Sequence, residues 1–419
     1  MTDVSTPTPA GRTEIDRTDE RLRNDTGVRG ALAAFTDQVR SGDLGVLPIV
    51  VGLVIIWTVF QALNPIFLSS ANLGNLAVEC VSVGVIALGV VCVLLVGQID
   101  LSVGSVSGLA AAVTAVTFVN HGWPSWLAVV AALGAGTVIG WVYAQLFTRF
   151  GVPSFVGTLA GLLGFLGLQL YLLGSKGAIN LPFDSQLVFF AQLAFVPAWL
   201  SYILVVLAAG AMFATGYSLA RERRAAGLSA RSTSLLALRS VVALAGLGFA
   251  AWYLNQSRGI GWMFVAFVGL VLVFHYLLTR TGWGRSVYAV GGNAEAARRT
   301  GINVTRVYTS VFLLCSTLAA LGGVLAAARL AAANQASGAG DVNLNAIAAA
   351  VIGGASLFGG RGKASAALLG IIVIQSISSG LTLLNLDSSF RFMVTGAVLA
   401  LAVSLDSLAR KSRRSHGAA

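Results

Sequence analysis

Residues 78–96 read VECVSVGVIALGVVCVLLV, and residues 97–105 read GQIDLSVGS. The first stretch is as long as the roughly 18 apolar residues that mark a membrane-spanning helix. Its one charged residue is Glu79, which opens it. The second stretch interrupts the apolar run with Gly97, Asp100 and Ser102, and another apolar run follows. On either side the pattern repeats. About twelve spans are expected, near 46–64, 78–96, 103–119, 124–147, 152–173, 198–219, 234–254, 260–278, 306–330, 344–358, 364–383 and 390–408. A full-length span reaches about 30 Å at a rise of 1.5 Å per residue. Those near 103–119 and 344–358 are short and glycine-rich, and are expected to be tilted, broken or re-entrant. An interfacial helix is expected over 186–197.

This pattern makes the chain an all-α polytopic membrane protein. Composition agrees, with 56% hydrophobic and 10% charged residues among 419 and a mean hydropathy of +0.83. A soluble domain carries about 25% charged residues. A soluble enzyme, a nucleic-acid-binding domain and a single-anchor protein are excluded. The net charge of +11 does not reopen the nucleic-acid reading, because the basic residues lie beside the apolar runs. With both termini cytoplasmic and all twelve spans crossing, 23 of the 27 Lys and Arg fall inside, as the positive-inside rule requires. Only Lys176, Arg258, Arg329 and Arg391 are left outside.

Three regions follow. Residues 1–45 mix Thr, Asp, Glu, Arg and Pro and read as a disordered cytoplasmic tail, with a short helix near 29–40. No apolar core precedes Leu47, so no cleavable signal peptide is expected. Residues 46–410 form the transmembrane domain, and 411–419 a basic cytoplasmic tail. Two inside segments stand out. The basic loop 220–239 suits an anionic lipid leaflet. Segment 279–306 is too long for a minimal turn. Within it Asn293 is a good N-cap, Ala294 to Arg299 favour helix, and Gly301 is a good stop. A surface helix of about two turns is expected there.

The chain lacks the usual marks of catalysis. A phosphate-binding loop requires G-x-x-x-x-G-K-[ST]. Around Gly362-Lys363, Leu357 replaces the first glycine and Ala364 the hydroxyl residue. His121, His275 and His416 form no metal or triad pattern, and Cys80, Cys92 and Cys315 lie in apolar runs with no zinc spacing. No cofactor is expected on this chain, and any ATP would be hydrolysed by another.

Ionisable residues inside spans are costly and usually functional. Glu79 and Asp100 are the acidic ones near the second span. Arg239, Arg329 and Asp406 lie near helix ends where they can snorkel, and Asp406 has the i,i+4 spacing to pair with Arg410. No acidic or histidine relay crosses the bundle, which weakens a proton-coupled carrier. Asp100 reads either as the N-cap of the next helix or as part of a broken helix lining a pathway. Gln145, Gln169 and Gln375 within spans, and Asn334, Gln335, Asn343 and Asn345 around the 332–343 outer loop, suit a neutral polyhydroxylated solute. They equally suit interhelical hydrogen bonding.

Four segments together resemble the permease subunits of bacterial ABC importers for monosaccharides, the ribose/xylose group. They are GQIDLSVGS at 97–105, GVPSFVGTLA at 151–160, GGNAEAARRTGI at 291–302 and IGGASLFGGRG at 352–362. One departure is Gln98, where many members have glycine. The additional hydrophobic material between 186 and 258 is similar to the longer xylose-transport permeases. The resemblance implies a homodimer in the bacterial plasma (inner) membrane. It also implies a cytoplasmic ATPase with two fused nucleotide-binding halves, and an extracytoplasmic sugar-binding protein. Residues 291–302 would dock in the ATPase, with Gly292, Asn293, Ala297, Arg298 and Gly301 as coupling residues. Arg298 and Arg299 would meet acidic residues of the ATPase or phospholipid. Asp100, Ser102 and Ser105 would line or gate the translocation path. The alternatives are the same machinery for a nucleoside or branched-chain amino acid, and an ion-coupled secondary transporter.

Overall fold

The computed structural model describes residues 47–227, 230, 232–339, 341–387, 389, 390, 393, 394, 396, 397 and 400. The expected N-terminal tail and its expected helix near 29–40, most of the expected 390–408 span, the expected Asp406–Arg410 pair and the 411–419 tail lie outside the described residues. Helices α1 (Leu47–Leu63), α2 (Ser70–Leu95), α3 (Val103–Ala115, continued by a π turn Val116–Asn120), α4 (Ser125–Thr148) and α5 (Ser154–Leu173) come first. Strand β1 (Ala178–Asn180) and a short helical stretch, Gln186–Val188 followed by Phe189–Leu193, lead to α6 (Ala198–Ala225) and α7 (Thr233–Leu254). Then follow α8 (Trp262–Arg280), α9 (Gly282–Gly292), α10 (Ala294–Arg299), α11 (Val304–Leu330), β2 (Ala332–Asn334), α12 (Val342–Ile352) and α13 (Ser365–Leu383).

Among the described residues nine helices are long and apolar enough to cross a membrane, and α1 and α12 are shorter apolar helices. Eleven of the twelve expected spans thus have a helix at their place. With its π turn α3 reaches full crossing length, 18 residues. By contrast α12 has 11 residues, about 16 Å of helix, and cannot cross.

The chain divides into two compact units. The smaller spans residues 198–252 and is α6 with most of α7. There Leu236 packs over Gly216, and Arg224 donates to the Thr233 hydroxyl at 3.4 Å. The larger unit holds the rest of the described residues. Its centre is α2, whose residues from Cys80 to Leu95 are buried but for Val83. A helix apolar on every side is stable only when enclosed, and α11, α13, α12 and α8 enclose it. Helix α11 also packs on α4 and α3. The closest contacts use glycine. At Gly140 of α4 a Cβ would lie 2.5 Å from the Phe312 carbonyl oxygen of α11, so two backbones meet there as small residues allow.

At one end β1 and β2 pair antiparallel, Ile179 opposite Ala333, and Leu181 N–H donates to Ala331 O at 2.8 Å. Two expectations change. The second span begins at Ser70, not near 78, because Ser69 caps it by accepting the Asn72 N–H at 3.3 Å. Glu79 therefore lies well inside the helix. The segment 282–292 is helical as well. Its glycines hide this in the sequence, and burial of Val287 and Val290 overrides low propensity.

Candidate functional site

Helix α10 is built by local chemistry. The Asn293 side chain accepts the Ala296 N–H at 2.9 Å, satisfying one of the donors a helix start leaves open. Gly301, at φ +86°, ends it. Ile302 N–H returns to Ala297 O and Gly301 N–H to Arg298 O, both at 3.1 Å, the paired bonds of a left-handed glycine stop. Ala297 is buried at 4% exposure, while Glu295, Ala296, Arg298 and Arg299 are exposed. Ala297, with the half-buried Ala294 beside it, seats the helix, and its charged residues face outward. Arg298 pairs with Glu295 of its own helix at 2.6 Å, so its charge already has a local partner. An exposed pair of this spacing adds only a few tenths of a kcal/mol.

All four quoted segments meet at this end of the larger unit. The second span closes in the same way as α10: Gly97, at φ +72°, sends its N–H to Leu94 O at 2.9 Å, and Gln98 N–H reaches Val93 O at 3.1 Å. Leu95 O is left to accept Gly360 N–H at 2.8 Å. Gly291, in the last turn of α9, lies against this carbonyl so closely that a Cβ would run into the Leu95 oxygen. At Gly359 a Cβ would lie 2.7 Å from Gly291 O and 2.9 Å from Gly97 N. Tyr288 of α9 donates its hydroxyl to Gly362 O at 2.7 Å. Burial pushes that phenol above its usual pKa, so it remains a donor. Segments 97–105, 291–302 and 352–362 thus interlock backbone to backbone. The fourth, 151–160, joins through Thr158, whose hydroxyl accepts Leu101 N–H at 3.1 Å.

Asp100 lies just inside this interlock at 2% exposure, with Ser102 at 0% and Ser105 at 6%. Its Oδ1 accepts the Ser102 N–H at 2.8 Å and the Ser102 hydroxyl at 2.7 Å. Ser105 Oγ donates to Ser102 O at 3.0 Å. The N-cap reading of Asp100 is corrected: Ser102 is the N-cap residue of α3, and Asp100 braces it from two residues earlier. Asp100 Oδ2 is buried without a protein partner among the described residues. The three residues expected along a path are therefore together but sealed. Open space begins next to them, in a cleft of about 410 Å³ lined by Gln98, Ile99, Phe147, Pro153, Ser154 and Phe155.

The loop before α12 is also corrected. Asn343 Nδ2 donates to Leu101 O at 2.6 Å, and Gln169 of α5 donates to Asn334 O at 3.0 Å and Ser337 O at 2.9 Å. A helix of eleven residues must start within the bundle, so the chain dips inward to reach it. The 332–343 segment thus runs from β2 into the bundle, where Asn343 meets Leu101, rather than staying an outer loop. Arg329, expected to snorkel at its helix end, has a partner in Glu79. They pair at 2.6 Å, and Gln375 joins them. Sequence reasoning missed Tyr288, Thr158 and this three-helix contact, because each depends on a partner far along the chain.

This arrangement defines a polytopic membrane protein in which a short exposed helix follows directly on a helix interlocked, backbone to backbone, with the end of the span that leads into a sealed polar loop. The chain belongs to the family described as branched-chain amino acid transport system / permease component, whose model matches residues 72–403, and is a multi-pass protein of the bacterial inner membrane. It is 35% identical over 346 residues to the xylose transport system permease protein XylH of Escherichia coli strain K12, covering 82% of this chain and 87% of that one. The Haemophilus influenzae XylH is 32% identical over 384 residues, 89% of this chain and 99% of the relative. The E. coli ribose import permease protein RbsC is 30% identical, covering 85% and 92%. No solved structure matches the chain.

Proposed function

We propose that this chain is the translocation subunit of an ATP-driven importer for a monosaccharide, xylose. The similarity to xylose permeases over most of both chains carries the choice of sugar. Ribose and fructose permeases are also similar, at 30% and 28% identity. The chain works as a homodimer, with both termini cytoplasmic and no cofactor of its own. Its partners are an ATPase with two nucleotide-binding halves and an extracytoplasmic sugar-binding protein.

The exposed helix α10 is the ATPase dock. Asn293 and Gly301 shape it, Ala297 seats it, and Gly292 and Arg298 border the contact. ATP-driven movement of α10 passes through α9 to the interlock at Leu95 and Gly360. That movement unseals the Asp100–Ser102–Ser105 loop and connects it to the cleft at Gln98. The observation that carries this reading is that α9, which leads into the capped, exposed helix, meets the end of α2, which leads into the sealed loop, backbone to backbone at Gly291, Leu95 and Gly360.

The test is reconstitution in liposomes with the ATPase and a sugar-binding protein. Hydrolysis stimulated by the xylose-loaded binding protein, together with sugar accumulation, is the expected result. Uptake by this chain alone, abolished by an ionophore, would replace this reading with an ion-coupled carrier. Stimulation by a nucleoside- or branched-chain-amino-acid-loaded protein would replace the sugar.

A further inference from the structure

Three polar side chains from three apolar spans meet far from the interlock, toward the β1–β2 end. Arg329 is the penultimate residue of α11, three residues before β2. Its Nη2 donates to Glu79 Oε1 of α2 at 2.6 Å. Gln375 Nε2 of α13 donates to Glu79 Oε2, also at 2.6 Å. Gln192 Nε2 donates to the Arg329 carbonyl at 2.7 Å and fixes the end of α11. Neither charged side chain is enclosed: Arg329 is 33% exposed and Glu79 29%. Asn72, Asn75, Glu79 and Ser82 are spaced by three or four residues along α2, and so share one helix face. Beside them Ser379 Oγ of α13 donates to Asn72 Oδ1 at 3.3 Å. The Ser82 hydroxyl is buried without a partner among the described residues.

An ion pair in a membrane span faces the bundle interior, water or another polar surface, because hydrocarbon solvates neither charge. Here the pair is a third exposed within otherwise apolar helices, so its open side meets something polar. The trio is neutral overall, so it selects neither a cation nor an anion. It does set several donors and acceptors side by side. Arg329 has N–H groups beyond the one that Glu79 takes, Gln375 keeps its amide oxygen, and the Glu79 oxygens keep lone pairs. Each group is held by the others, so little rotamer freedom is lost when a ligand hydroxyl, both donor and acceptor, settles among them.

We propose that Glu79, Arg329 and Gln375 form a binding subsite for the hydroxyl groups of a monosaccharide crossing the membrane. The subsite lies in the half of the protein opposite the Asp100 seal. The proposal rests on the importer reading and adds to it a place where the permease itself holds sugar. It separates the two ends of the path: sugar is held at Glu79 while the interlock keeps the Asp100 loop shut.

The test uses the chain assembled with its ATPase in nanodiscs, carrying Gln375→Cys. The native Cys80, Cys92 and Cys315 are buried and are silent toward a membrane-impermeant maleimide. The introduced cysteine is expected to react, and free xylose at high concentration is expected to slow the reaction at least threefold, whereas choline has no effect. No reaction would mean that the site faces lipid or a second copy, and an unchanged rate with xylose would mean that it does not touch sugar. Either result overturns the proposal. A second variant, Gln375→Leu, leaves the ion pair in place. In proteoliposomes with the ATPase and the sugar-binding protein, its xylose delivered per ATP hydrolysed is expected to fall at least threefold, and an unchanged ratio in a stable variant overturns the proposal equally. Wild-type vesicles that show no ATP-driven xylose uptake would instead refute the importer reading, a result separable from both variants.

Discussion

Replacing Gly291 by alanine tests the route from α10 to the sealed loop. The added methyl group would collide with the Leu95 carbonyl oxygen and would lie 2.7 Å from Gly360 N, the two atoms that share a 2.8 Å hydrogen bond. Backbone atoms cannot swing aside as a flexible side chain does, so α9 must move away from Leu95. Overpacking of this kind costs about 1–3 kcal/mol. Losing the Gly360–Leu95 bond adds roughly 0.5–1.5 kcal/mol. The combined strain of about 1.5–4.5 kcal/mol is local to the interlock. Helix α10 has its own caps, so the variant still binds the ATPase. Since about 1.4 kcal/mol is a factor of ten, uptake should fall at least tenfold while ATP hydrolysis persists, an uncoupled phenotype. The assay is paired measurement of xylose accumulation and phosphate release in the same proteoliposomes. A stably assembled Gly291→Ala complex with a wild-type ratio of sugar to ATP would refute the reasoning.

Further expectations concern the same end of the molecule. Asn293→Ala removes the side-chain cap of α10 and should cost about 1 kcal/mol of helix stability, read as weaker ATPase co-purification. Asn293→Pro combined with Gly301→Val, the latter at φ +86°, should abolish uptake and leave the protein folded by thermal unfolding; normal uptake would remove α10 from the coupling role. Tyr288→Phe deletes the bond to Gly362 O, a loss of about 0.5–1.5 kcal/mol, and should lower transport about two- to tenfold with little effect on assembly. Asp100→Asn retains an acceptor for Ser102 and should preserve the fold, whereas Asp100→Ala leaves the Ser102 N–H and hydroxyl unpaired and should lower the unfolding temperature measurably.

The helical bundle was legible because membrane spans are specified by composition over a window. Eleven apolar runs sufficed to find eleven helices, although α2 started eight residues earlier than its apolar content suggested. The short exposed helix α10 was legible to the residue, Ala294–Arg299, because N-cap and glycine stop act between residues at most five apart. Helix α9 was not: GWGRSVYAVGG lacks local helix preference, and its helix exists because Val287 and Val290 are buried against the bundle. The dip of 332–343 was likewise invisible, since the polar run reads as a loop whichever side of the membrane it occupies.

The residues that the sequence marked as possible chemistry divided in the same way. Asp100, Ser102 and Ser105 were identifiable because they interrupt an apolar run, but only packing showed them to be sealed rather than open. Glu79 and Arg329 stood out as charges in apolar surroundings, yet 250 positions separate them and 296 separate Glu79 from Gln375. Nothing local links such residues, and their pairing is decided by which helices pack together. Sequence alone determined what every few residues must do: enter the membrane, cap a helix, turn at a glycine. Tertiary structure alone decided which backbones touch at Gly291, Gly359 and Leu95, and which charges neutralise one another. Hydrophobic length and capping are short-range properties of the chain, whereas close packing and charge pairing depend on atoms that only folding brings together.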